Sequence, residues 1–320
     1  MRRAPFMTTP VHPSLRIVKS PLDESQLAPL DPRCQCVQFA APLTDNDHVK
    51  LASFLASYPD VSLRVYGHYT NPLANLSFLR HYPFISSFQA DVFSLQSTDG
   101  VEYLTDSLKF FGLGETKTSS ISLSFLRRFK SLKDLHLVGH KKDIEIISSL
   151  SCLEQLSLRS ITLPNLKVVL PLEKLKRLNI RLGGTSDLKL LPQLTGLQSL
   201  ELWMIKGLDN LGMLGNVASL RNLYLQDLKH VRVLPSFAGL HQLRRVTLDG
   251  MKGITDLRSI ADAPALEELL VVSAKHLMPE DFKPFVGHPT LKAARIGLGS
   301  ISKNNQVRDL LALPECDLPK

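Results

Sequence analysis

The stretch LQSLELWMIKGL, residues 197–208, sets leucines at Leu197, Leu200 and Leu202 and follows them at once with Trp203, the single tryptophan of the chain. The L-x-x-L-x-L spacing decides the fold because it recurs. It reappears as LKDLHL (132–137), LEQLSL (153–158), LKRLNI (175–180), LRNLYL (220–225), LRRVTL (243–248), LEELLV (266–271) and LKAARI (291–296). The middle anchors are Leu135, Leu156, Leu178, Leu200, Leu223, Val246, Leu269 and Ala294, so successive steps are 21, 22, 22, 23, 23, 23 and 25 residues. A fixed period of this size marks a solenoid, in which no repeat can bury its apolar face alone and stability comes from stacking. Within L-x-L the two leucines lie on one face of a strand and the middle residue on the other. Strands stacked at about 4.8 Å form a parallel sheet. The return segment adds to the same core, through Ile205, Leu208, Leu211, Leu214 and Val217 in the coil begun by Leu197. A spacing of about three suits short 3-10 turns rather than long helices.

On these repeats the chain resembles the leucine-rich repeat proteins of the short-repeat, bacterial kind. The match is strongest over 132–296, and degenerate strands at VSLRVY (61–66), SFQADV (87–92) and SLKFFG (107–112) extend it to roughly eleven coils. The resemblance implies an α/β solenoid, a horseshoe with a concave parallel sheet, short 3-10 or helical convex segments and helical end caps. One departure stands out. The template places Asn or Cys three residues after the last strand leucine. Here those places hold His140, Ile161, Gly183, Ile205, Leu228, Met251 and Ala274. The side-chain ladder that satisfies the turn is therefore missing. The turn is expected to pack inward, with its backbone groups bonded elsewhere.

The expected organisation has four parts. Residues 1–43, with six prolines in the first 40, form an N-terminal arm, extended and partly disordered or laid on the first coil. Residues 44–130 carry a cap helix over 44–60 and the degenerate repeats. Asn46 or Asp47 caps that helix, and Val49, Leu51, Phe54 and Leu55 give it an apolar face. Regular repeats occupy 131–298. A C-terminal cap fills 299–320, with a helix over 302–314 ended near Pro314.

The composition narrows the setting. No run of 18 apolar residues occurs, so no membrane span is expected. The start, MRRAPFMTTPVHPSLRIVKS, lacks an apolar core like that of a signal peptide, and a cytoplasmic protein is expected. Four scattered cysteines, Cys34, Cys36, Cys152 and Cys316, agree with a reducing compartment. The net charge of +8 is spread along the chain and favours acidic partners only in a general way. A monomer is expected rather than an obligate oligomer.

The positions flanking and separating the strand leucines form three columns on the open face of the sheet. Around the opening stretch they are Ser199, Glu201 and Trp203, flanked by Arg177, Asn179 and Arg181 on one side and Asn222, Tyr224 and Gln226 on the other. Further out lie Arg159 and Arg245. The pleat points Trp203 outward. Aromatics and arginine dominate interface hot spots, and a guanidinium pairs carboxylates in a fork. The candidate partner-binding residues are therefore Arg159, Arg177, Asn179, Arg181, Glu201, Trp203, Tyr224, Gln226 and Arg245. The bland alternative has Trp203 folded over an arginine, merely shielding the sheet. Lys206, Lys229, Lys252 and Lys275 recur every 23 residues and form a row in four consecutive coils. They read either as a rail for an acidic partner or, more simply, as solvated turn positions that keep the repeats soluble.

Three function classes compete. The resemblance implies a non-enzymatic scaffold that binds a macromolecule, most simply a protein, on the concave face; an immunity-type protein that occludes its partner is one version. Polyanion or nucleic-acid binding would use the arginines and the lysine row. The interspersed Asp134, Glu201, Asp249 and Glu268 argue against it, since a phosphate-binding surface is more uniformly basic. Catalysis lacks its motifs: there is no P-loop, G-x-S-x-G, H-E-x-x-H or dinucleotide fingerprint, so no cofactor is expected. His136 and His140 sit on a strand and its turn, not on one helix face, and no metal set is expected.

Overall fold

A computed structural model describes residues 14–67, 73–118 and 121–317. The chain divides into two compact units, Met1–Asp143 and Ile144–Lys320. The first unit holds strands β1 (Leu15–Ile17), β2 (Cys36–Phe39), β3 (Ser62–Gly67), β4 (Ser87–Val92), β5 (Phe110–Leu113) and β6 (Asp134–Val138), each parallel to the one before. The second holds β7 (Gln155–Arg159), β8 (Arg177–Arg181), β9 (Ser199–Trp203), β10 (Asn222–Gln226), β11 (Arg245–Asp249), β12 (Glu268–Val272) and β13 (Ala293–Ile296), again parallel in chain order. Short 3-10 turns such as Gly212–Asn216 return the chain, as the threefold spacing of leucines requires.

The anchors read from the period are the buried residues. Leu156, Leu178, Leu200, Leu223, Val246 and Leu269 are each no more than 1% exposed, and the return residues Leu208, Leu211, Leu214 and Val217 pack behind them. The register aligns like with like: Leu178 lies beside Leu200 and Leu200 beside Leu223. The first unit builds the same wall from larger rings. Phe88 meets Phe78 at 6.2 Å and Phe111 at 6.1 Å between centroids.

Several expectations about the first unit change. The stretch read as an arm contributes β1 and β2 from its residues 14–43; residues 1–13, with three of its prolines, lie outside the described residues. The Arg16 guanidinium donates to the carbonyls of Gln26, Ala28 and Pro29 and so holds the proline-containing loop in place. The helix within 44–60 is α1 (Asp45–Leu55), and two strands precede it, so it forms part of a coil rather than the end of the unit. Its cap is Thr44, not Asn46 or Asp47: the Thr44 hydroxyl accepts from the Asp47 N–H at 3.2 Å. Val49 is 55% exposed, because the inward face runs through His48, Leu51, Ala52 and Leu55. The strand placed at 107–112 starts at Phe110.

The missing asparagine ladder has a backbone replacement. His140, Ile161, Gly183, Ile205, Leu228, Met251 and Ala274 are all buried, as the inward turn demands. A residue with positive φ directly precedes all seven, among them Ser160, Leu182, Met204, Asp227 and Gly250, with φ between 50° and 61°. In these five the left-handed bend aims each N–H at the last strand carbonyl of the next coil. Ser160 donates to Arg181, Leu182 to Trp203, Met204 to Gln226, Asp227 to Asp249 and Gly250 to Val272, at 2.8–3.1 Å. A ladder of main-chain bonds thus does what side-chain amides do in the template. Leu182 and Met204 hold this bend without glycine or a short polar side chain, which costs energy. Gly183 is needed for a different reason: a Cβ there would lie 2.2 Å from the Ile161 carbonyl oxygen.

Candidate functional site

The sequence-read contact residues come together on the outward face of the second unit. Register places Arg159 beside Arg181 and Arg181 beside Trp203, in one column across β7, β8 and β9. Gln226 continues that column, and Tyr224 lies beside Glu201 in the middle one. The guanidinium of Arg159 reaches across to lie 5.4 Å from the Trp203 ring centre, within cation–π range. Arg181, between them, turns to Glu201: its Nε donates to Oε1 at 2.7 Å and its Nη2 to Oε2 at 2.5 Å. This is the fork geometry that fixes both side chains. The Trp203 indole N–H is buried and has no partner. Tyr224 donates its hydroxyl to Gln226 at 2.9 Å, and burial together with nearby Asp249 and Glu201 pushes its phenol up to about 12.

The remaining candidates are placed differently. Asn179 is half-buried beside Glu201 in the register. Arg177 is exposed and donates to Gln155 at 3.1 Å. Arg245 is not a free member of the patch. Its Nη1 donates to Glu268 at 2.6 Å, and its Nη2 donates to the Asp317 carbonyl. The bland reading of Trp203 captures part of the truth, since Arg159 does stack on it. No spacing announces the pairing of Arg181 with Glu201, because side-chain direction along a column is set by packing.

Lys206, Lys229, Lys252 and Lys275 are all exposed, with no ion-pair partner among the described residues. Two of them border a groove of about 530 Å³ lined also by Thr162, Leu182, Met204 and His230. It lies against the strained bends, which the sequence does not announce. His140, one of the two histidines weighed as ligands, is buried; its Nε2 faces the Gly114 carbonyl at 3.0 Å, and burial lowers its basicity. No group of three His, Cys, Asp or Glu among the described residues is placed to hold a metal ion. All four cysteines are free thiols, and burial pushes Cys36 up to about 11, away from reactive thiolate character. No helix among the described residues is long and apolar enough to cross a membrane.

Two outward features escaped the sequence reading. On β12 the middle outward position is Leu270, fully buried, with Val272 beyond it; LEELLVV (266–272) is apolar at both, a signal that something covers that end. On the first unit, Arg64 binds Asp91 at 2.7 Å and Gln38 at 3.1 Å, and Gln89 also donates to Asp91. That network lies in strands too degenerate for columns to be drawn from spacing.

Comparison with known proteins bears on the fold. An internalin (inlF) from Listeria monocytogenes strain 4b F2365 superposes with a TM-score of 0.50 and 15% identity, over 90% of this chain and 81% of its own. The TLR13 chain of a TLR13–ssRNA13 complex superposes with a TM-score of 0.50 and 18% identity, over 88% of this chain and 46% of its own. No family model matches the sequence, and no curated protein matches it. The repeat, the parallel order of the strands and these likenesses agree: the chain has the leucine-rich repeat solenoid fold.

Proposed function

We propose that this protein is a non-enzymatic recognition scaffold that binds a protein partner on the outward face of β7–β10, the face read from the sequence as concave. The observation that carries this reading is the Arg159–Trp203 stack, a large aromatic surface on a rigid sheet whose indole N–H still lacks an acceptor. The stacked guanidinium and indole offer a flat, rigid surface, which is what interface hot spots use. Exposed Arg177 and the Tyr224–Gln226 pair frame the contact. The pairing of Arg181 with Glu201 and of Arg245 with Glu268 supports protein over nucleic acid, since both arginines are already neutralised within the sheet face. The unpaired lysine row suits an acidic strip at the partner's rim. Four free thiols support a reducing, cytoplasmic setting.

The test is affinity capture of the partner from native extract, followed by titration with purified chain. Arg159→Ala combined with Trp203→Ala should weaken binding by about 2 kcal/mol or more while the melting curve stays in place. Binding unchanged by both substitutions would move the contact elsewhere. Tight binding to duplex or single-stranded nucleic acid at low salt, lost steeply as salt rises, would replace the protein reading by the polyanion one.

A further inference from the structure

The last strand of the second unit does not end in open edge. After β13 the chain forms α3 (Ile301–Leu311), capped by Ser300 and ended by Ala312 in the left-handed conformation with φ 51°. Of the residues of α3 only Val307 is buried, so the helix is weakly seated. A cavity of about 180 Å³ remains between α3, β13 and the following segment, lined by Ile301, Asn304, Leu311, Leu313 and Glu315. The chain then turns back along the sheet. The Ala294 N–H, on the edge of β13 that β12 leaves free, donates to the Pro314 carbonyl at 2.9 Å. Glu315 lies 3.3 Å from the Arg295 guanidinium. Cys316 is only 3% exposed, and its Sγ faces the Leu269 carbonyl at 3.7 Å. The Asp317 carbonyl accepts from Arg245, two strands inward. Four residues therefore run from the sheet edge onto the outward face of β11–β13.

That path is the geometry of an extended peptide laid on a sheet: one main-chain edge bond, one carboxylate on an arginine, one small side chain in a socket, and one carbonyl on a second arginine. The surface below fits such an occupant. Leu270 forms an apolar floor beside Arg295, and the small Ala293 leaves room beside Glu268, which Arg245 flanks on the other side. The fit is incomplete. Arg295 keeps a buried Nε–H without any partner, although a carboxylate approaching in fork geometry would take both guanidinium edges. The resident thus leaves one donor unsatisfied, at a cost that an occupant pairing with it would avoid.

We propose that the outward face of β11–β13 is a docking groove for an extended polypeptide segment bearing a carboxylate, and that residues 313–317 are its resident, displaceable occupant. The proposal extends the recognition reading to a second surface and does not depend on the Trp203 patch. An incoming segment takes the Ala294 edge bond, places its carboxylate in a fork on Arg295 and seats a small side chain where Cys316 lies. The chain's own tail restricts entry to segments that outcompete it.

The probe is a fluorescein-labelled peptide, LPECDLPK, matching residues 313–320, titrated against the full-length chain. In the full-length variant E315K/C316R the tail is repelled by Arg245 and Arg295. That variant should bind the peptide at least tenfold more tightly than the native chain. Exchanging the peptide's glutamate for lysine, or adding Arg295→Glu to the variant, should abolish the gain, whereas adding Trp203→Ala should leave it intact. If E315K/C316R does not fold, hydrogen exchange on the native chain decides: excess free peptide should speed exchange in residues 313–317. A folded variant with no gain in affinity, or tail exchange indifferent to saturating peptide, overturns the proposal. A concentration-dependent dimer formed by tails seated on neighbouring copies would replace it with self-association. Loss of the Trp203-dependent partner contact alone would sink the proposed function and leave the groove standing.

Discussion

The two units build one repeat from different materials. In Ile144–Lys320 the wall is leucine at regular spacing, the turns are tied by main-chain bonds from left-handed residues, and the buried polar residues are hydroxyls such as Ser157, Thr185 and Thr247. In Met1–Asp143 the wall mixes phenylalanine with leucine and valine, the coils vary in length, and ionisable groups are buried. Asp47 is held by the hydroxyls of Ser20 and Thr44 and by the Leu22 N–H. His48 is 4% exposed, packed in parallel between the Phe78 and His81 rings at 5.2 and 5.6 Å. It also shares a hydrogen bond with the Tyr82 hydroxyl at 2.9 Å. Period and packing density can replace one another. A strict period lets small identical pieces tile, whereas irregular coils need large rings and specific polar contacts to fill the same volume.

Core truncations should separate the units most. Phe88→Ala removes a ring that touches two others, and should cost about 3–5 kcal/mol. Leu200→Ala should cost about 2–5 kcal/mol, nearer the lower end because regular neighbours can close on the gap. Urea melts of both variants, followed by the fluorescence of Trp203 in the second unit and by hydrogen exchange in the first, read each effect. An unchanged melt for Leu200→Ala would contradict its inward placement.

Acid should act on the first unit. Burial, and next the like charge of His81, pushes His48 down to about 4, against an ordinary value near 6.5. Asp45 and Asp47 pull the other way and Arg80 adds to the depression. The folded state therefore holds His48 neutral where the unfolded chain would bind a proton. Its contribution is complete above about pH 6.5 and is lost as pH falls through about 4, by up to about 3 kcal/mol. Exchange rates in residues 36–92 should rise across that window while those around β9 and β10 hold, and His48→Gln should flatten the dependence. Equal acid sensitivity in both units would remove the distinction.

The turn ladder gives the smallest effect. Met204→Gly should stabilise the second unit by up to about 1 kcal/mol by relieving the left-handed bend, and Met204→Ala should not. A glycine variant less stable than the native chain would show that the Met204 side chain contributes more through packing than the bend costs.

Much of this was legible in the chain. The 21–25 residue period located β6–β13, the pleat separated Leu200 and Leu202 from Glu201 and Trp203, and the apolar turn positions implied an inward turn without an amide ladder. LRI and CVQF, the first two strands, carry no such period and read as part of an arm. Spacing does not single out Thr44 as the cap, because Asn46 and Asp47, two and three places on, are intrinsically better capping residues and only the backbone geometry decides between them.

The spacing of leucines is enough to specify which face of each strand is wall, because alternation is a property of the strand and stacking is the only way to bury the repeat. What each outward side chain then does depends on neighbours from other coils. Arg159 bends over Trp203 two strands away, Arg181 turns to Glu201, and Arg245 meets a carbonyl 72 residues further on. Such choices are made by packing, charge and hydrogen bonding across coils, at distances that no local pattern encodes.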